Sequence, residues 1–86
     1  MEKLNKNQLT SLFHKGTNEL NFGDPLKAIQ CYKEILCVKE NNEIVLNNLA
    51  YAYFIIGDYN NSEKLILKAI DINKNNPNFY YNLGNL

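Results

Sequence analysis

Apolar residues recur at helical spacing along this chain and are interrupted by short polar or glycine-bearing breaks. A first helix is predicted over about Lys6 to Asn21, broken at Phe22-Gly23. Asp24 is placed to cap a second, and Pro25 suits its first turn, where the missing N–H would be unpaired anyway. That helix is expected to run to about Lys39 and to stop at Glu40-Asn41-Asn42. A third is predicted from about Glu43 to Ile56, ended by Gly57, and Asp58 repeats the capping role. The fourth runs to about Asn73 and is stopped by Lys74-Asn75-Asn76; Pro77 then opens a fifth that reaches Leu86. No long linker or low-complexity segment intervenes, so the expectation is one all-α domain over residues 1–86.

The pattern repeats at a fixed interval. Leu12, Gly16, Gly23, Asp24, Ala28, Tyr32 and Ile35 are followed 34 residues later by Leu46, Ala50, Gly57, Asp58, Ser62, Ile66 and Ala69, and a third copy starts with Tyr80 and Gly84. With Ala52-Tyr53, Gly57-Asp58-Tyr59 and the run from Pro77 to Asn85, this resembles the tetratricopeptide repeat. The resemblance implies a right-handed superhelical stack of antiparallel helix pairs, with five helices and about two and a half repeats. Repeat 1 covers about 9–42, repeat 2 about 43–76 and a partial third about 77–86. Small residues let the paired helices approach closely, Gly16 against Ala28 and Ala50 against Ser62. The Ser62 hydroxyl is expected to bond back to its own preceding turn. Glycine inside a helix costs about 1 kcal/mol against alanine, so Gly16 and Gly84 call for a packing reason. Ile35, where alanine is usual, is expected to push the second pair slightly away. Lys15 and Glu19 stand where the family has apolar residues, and read as a weakly paired, solvated outer face. At the other end Tyr80, Leu83 and Leu86 are expected to cover the fourth helix.

In this family the first helix of each pair lines a concave surface, which implies a groove. On the first helix it takes Phe13, Thr17 and Leu20; on the third Asn47, Asn48, Tyr51 and Phe54; on the fifth Asn78, Tyr81, Asn82 and Asn85. The surface so read is aromatic and amide with almost no charge, suited to an uncharged extended peptide or an amphipathic helix. Family members that grip acidic chaperone tails use a clamp of lysine, asparagine and further basic residues. Its positions here are Phe13, Thr17, Asn48, Asn78 and Asn82, and only Asn48 fits, which argues against an acidic-tail adaptor. The expected function is a non-catalytic protein-binding scaffold or adaptor; the alternative is a self-associating element, docking through the fifth helix, or the first part of a longer array.

Composition changes this picture little. Nine lysines balance nine carboxylates with no basic block, which argues against nucleic acid. Sixteen residues are asparagine and none is arginine, as in an AT-rich coding sequence, so an asparagine alone does not mark a site. No apolar run approaches a membrane span, and Met1 to Lys15 lacks the apolar stretch of a signal peptide, so no membrane role and a cytoplasmic location are expected. His14 reads as a surface residue. Cys31 and Cys37, six apart on one helix, suit neither a disulfide nor a zinc site. Glu34, Glu40, Glu43, Glu63 and Asp71 read as caps and solvated faces. No cofactor, metal or catalytic group is expected.

Overall fold

Every helix in this chain begins at a side chain that accepts one of the N–H groups left unpaired by a helix start. The computed structural model describes residues 3–86, and over them the chain forms α1 (Lys6–Phe22), α2 (Pro25–Leu36), α3 (Glu43–Ile55), α4 (Tyr59–Ile72) and α5 (Pro77–Gly84). Asp24 accepts from the Leu26 N–H at 2.9 Å and Asp58 from the Asn61 N–H at 3.2 Å, as their positions predict. Asparagine does the same elsewhere. Asn5 and Gln8 form a reciprocal capping box at 2.8 Å, Asn42 caps α3 and Asn76 caps α5. Part of the asparagine excess therefore has a local structural use.

The stops are equally local. Gly57 adopts φ +85°, a conformation that strains any side-chain-bearing residue. Its N–H donates to the Phe54 carbonyl at 3.0 Å and the next N–H, of Asp58, to Tyr53 at 2.9 Å, which closes α3 in a Schellman turn. α2 ends at Leu36, three residues short of the expected Lys39. Val38 and Lys39 both donate to the Ile35 carbonyl, at 3.0 and 2.8 Å, so the coil tightens and turns without a glycine to mark it. α5 likewise stops at Gly84, with Asn85 and Leu86 in a terminal turn.

Packing is sequential. α1 lies against α2 and α3 against α4; α2 and α3 join the two pairs, α5 rests on α4, and α1 touches α3 lightly. The main core comprises Ala28, Ile29, Tyr32, Ile35, Val45, Leu49 and Ala52, with Leu9, Leu12, Phe13 and Leu20 packed around it. Ile35, expected to spread the pairs, instead fills their junction in this core. A smaller core of Leu46, Ala69 and Phe79 holds α5.

Four expectations about contacts need correction. A Cβ at Gly16 would lie 2.9 Å from a ring carbon of Tyr32 and 3.1 Å from Cys31 Cβ, so these, rather than Ala28, are the residues that require the glycine. The Ser62 hydroxyl does not bond its own helix; it donates across the pair to the Ala50 carbonyl at 2.7 Å. Glu19 does not serve Lys15: its carboxylate accepts the Asp24 N–H at 2.9 Å and ties down the first corner. At the far end Phe79, not Tyr80, is the anchor. Phe79 is fully buried whereas Tyr80 is 47% exposed, with its hydroxyl on the Lys74 carbonyl at the rim. A Cβ at Gly84 would meet no packed neighbour within 4 Å, so the expected packing reason for this glycine is absent.

These placements separate two adjacent rings by their effect. Phe79→Ala is expected to lower stability by about 3 kcal/mol or more in urea denaturation, and Tyr80→Ala by less than about 1 kcal/mol. Equal losses would mean that both rings anchor α5.

Candidate functional site

On α1 the positions read as groove-lining serve the first helix pair. The Phe13 ring packs against Tyr32 with centroids 6.2 Å apart, and Leu20 lies on the core. The Thr17 and Tyr32 hydroxyls share a hydrogen bond at 2.9 Å. Burial raises the Tyr32 phenol above its usual value, opposed by hydrogen bonding from Thr17 and Asn48. Next to Tyr32 in sequence, the Cys31 thiol is also raised by burial, with Lys15 opposing. Cys37 is exposed, and both cysteines are free thiols. His14 is exposed and meets the Phe13 ring edge-on at 6.1 Å.

The second pair and α5 present the open surface. Tyr51 is exposed, and its ring stacks on Phe54 at 6.3 Å with an interplanar angle of 16°. Both rings border a shallow crevice of about 10 Å³, no larger than one water, with Ser62 and Ile66 of α4, Asn82 of α5 and Asn85 just beyond it. Asn47, at 9% exposure, sits beneath: its Oδ1 accepts from Asn82 Nδ2 at 3.0 Å and joins α3 to α5. One such amide pair fixes the rotamer of Asn82 without using its Oδ1, which remains an acceptor at the cleft. Asn78 and Tyr81 lie exposed along α5, Tyr81 at 71%.

Two wider clefts flank this surface. One, of about 300 Å³, lies between α1, the end of α2 and the start of α3, where Lys6, Lys39, Thr10 and Asn42 stand over Leu9, Phe13, Ile35 and Val45. The other, of about 400 Å³, is lined by Phe54, Tyr59, Asn60, Glu63, Asn85 and Leu86. The structure therefore brings together Tyr51, Phe54, Asn82 and Asn85, and leaves Phe13 in a separate cleft. Lys6, Lys39, Tyr59 and Glu63 were not singled out from the sequence as site residues. The available signal was Tyr59 directly after the Gly57-Asp58 corner, with Glu63 one helical turn beyond it.

Residues 45–76, which span nearly all of α3, the whole of α4 and the turn after it, match the family model described as tetratricopeptide repeat. Over those residues the chain carries a tetratricopeptide-type helical repeat, and the helices on either side of it pack in the same sequential, all-α manner. Repeats of this family typically serve protein–protein interaction and are typically non-catalytic. Among the described residues no helix is long and apolar enough to cross a membrane.

The buried phenol gives a pH signature. A folded-state value above the unfolded one, about 10, contributes stability that is complete below that pH and is lost as pH rises through the folded value. Urea midpoints taken from pH 7 to 11 are expected to fall more steeply for the wild type than for Tyr32→Phe, although the variant starts about 1 kcal/mol lower for want of the Thr17 bond. Parallel curves would remove Tyr32 from the alkaline transition.

Proposed function

We propose that the chain is a non-catalytic scaffold or adaptor that binds an uncharged extended peptide, or the apolar face of a partner helix, across Tyr51 and Phe54 of α3 and Asn82 and Asn85 of α5. The observation that carries this reading is the stacked Tyr51–Phe54 pair, open at the surface beside two side-chain amides on a neighbouring helix. The rings supply contact area at a low entropic cost, and the amides offer donor and acceptor to a peptide backbone. Asn78 and Tyr81 extend the surface with half-buried Asn48, while Phe13, Thr17, Leu20 and Asn47 support it from within the helix pairs. The whole chain acts as one tetratricopeptide domain, with repeats at about 9–42 and 43–76 and a partial one at 77–86.

An acidic chaperone tail fits this surface poorly, because Phe13, Thr17, Asn78 and Asn82 offer a carboxylate no cation. Nucleic acid is disfavoured by the balanced charge, and two free thiols suit a cytoplasmic setting. A surface this short supports binding in roughly the micromolar range.

A second reading, self-association through α5, is favoured by one observation. Gly84 stands where Gly16 and Ala50 receive a packed helix, yet it faces open space.

Each reading has its own test. Against a peptide selected from a random library, Tyr51→Ala and Asn85→Ala are expected to weaken binding about tenfold with melting unchanged, since both side chains are exposed. Unchanged affinity in both variants would end the groove assignment. For self-association, light scattering across a wide concentration range is expected to show a mass that falls to that of one chain in Tyr81→Glu; a wild type already monomeric at every concentration would exclude it.

A further inference from the structure

The cleft at the α5 end is aromatic and acidic at once. Phe54 and Tyr59 bring their rings to 5.5 Å between centroids at 54°, so they form two walls of a corner, and Tyr51 stacks behind Phe54. The faces of aromatic rings carry partial negative charge. Glu63 follows Tyr59 by four residues, one turn along α4, and lines the same cleft with the amides of Asn60 and Asn85 and the apolar side chain of Leu86. No lysine lines it. We propose that this cleft is a recognition site for one cationic side chain, lysine or arginine, of a bound peptide.

The choice of charge follows from what each occupant would meet. A purely apolar side chain would desolvate Glu63 without compensation, and an acidic one would be repelled by Glu63 and by the ring faces. A lysine or arginine lays its methylene stem on Leu86 and the rings, and carries its charge to the Glu63 carboxylate and the amide oxygens. The cleft between α1 and the start of α3 has the opposite character, because Lys6 and Lys39 line it with an apolar floor and no carboxylate. A cation is therefore accepted at the α5 end and rejected between α1 and α3. The inference rests on the groove reading above and amends it: the peptide is uncharged over Tyr51 and carries one basic residue over α4 and α5, and this polarity sets its direction.

The probe is the capped tripeptide acetyl-Ala-Lys-Ala-amide, titrated into nitrogen-15-labelled protein and followed by amide shifts. Shifts are expected at Tyr59, Asn60, Glu63 and Asn85, with affinity at least roughly threefold above that of the norleucine and glutamate analogues. Glu63→Gln, at an exposed position, is expected to keep the wild-type melting temperature and lose roughly two- to fivefold in affinity, as is added salt. Absence of shifts, shifts confined to other residues, equal binding of the norleucine peptide, or an unaltered affinity in Glu63→Gln would each overturn the proposal. A library-selected peptide held through Tyr51 with no need of a basic residue or of Glu63 would overturn it too, while leaving the groove reading intact. Tripeptide binding at Glu63 with no library ligand would do the reverse.

Discussion

The contact on which the rest of this fold depends is the close approach of the two helices within each pair. At Ala50 and Ser62 the backbones come near enough for a side-chain hydroxyl on α4 to reach a main-chain oxygen of α3 at 2.7 Å. A larger residue at either place would hold the helices apart and leave that donor or acceptor unsatisfied. In the first pair Gly16 meets the same demand differently, by giving up its side chain to the ring of Tyr32. Once the pairs are this tight, their outer flanks can meet through Ile35, Val45 and Leu49, and a continuous core forms from elements too short to be stable alone.

Helix starts were largely legible because they are written in local chemistry. Asp24-Pro25, Gly57-Asp58 and Asn76-Pro77 each combine an acceptor, a restricted backbone or a stop within two residues, and the structure follows them closely. The end of α2 was not legible in that way. Its apolar spacing continues into half-buried Val38, and only the crowding of two N–H groups on the Ile35 carbonyl ends the helix. The choice between Phe79 and Tyr80 was hidden for a different reason. A 34-residue offset places Tyr80 in line with Leu12 and Leu46, but α5 has eight residues, too few for a period to be read. Shape then decides: a hydrocarbon ring suits the closed site, whereas a phenol needs a partner and finds one at the rim.

Of the residues that line the candidate surface, about half were legible. Positions on the first helix of each pair pointed to Tyr51, Phe54, Asn82 and Asn85, which share one cleft. The same rule counted Phe13, Thr17 and Asn47 as surface, although neighbouring helices occupy them through a ring contact and two hydrogen bonds. Charge was missed altogether. Lys6 comes from the start of α1, Lys39 from the loop after α2 and Glu63 from the second helix of its pair, so a count along first helices saw a neutral groove. Which side chains border a cleft is set by how pairs stack, and spacing within one helix does not contain that information.

The attachment of α5 has a thermodynamic consequence. Its eight residues rest on one buried ring and one bridging amide pair, yet they bring Asn82, and Asn85 just beyond them, to the open surface. On the proposed mode of binding, docking of α5 and capture of a ligand across Tyr51 and Asn85 are linked equilibria. Any ligand that touches both α3 and α5 must close the same gap that Phe79 closes, and it reinforces that ring's hold in proportion to its own concentration. On that reading α5 is a latch whose strength depends on what it encloses, and protection of its amides from solvent exchange would report binding as directly as any measurement on the ligand.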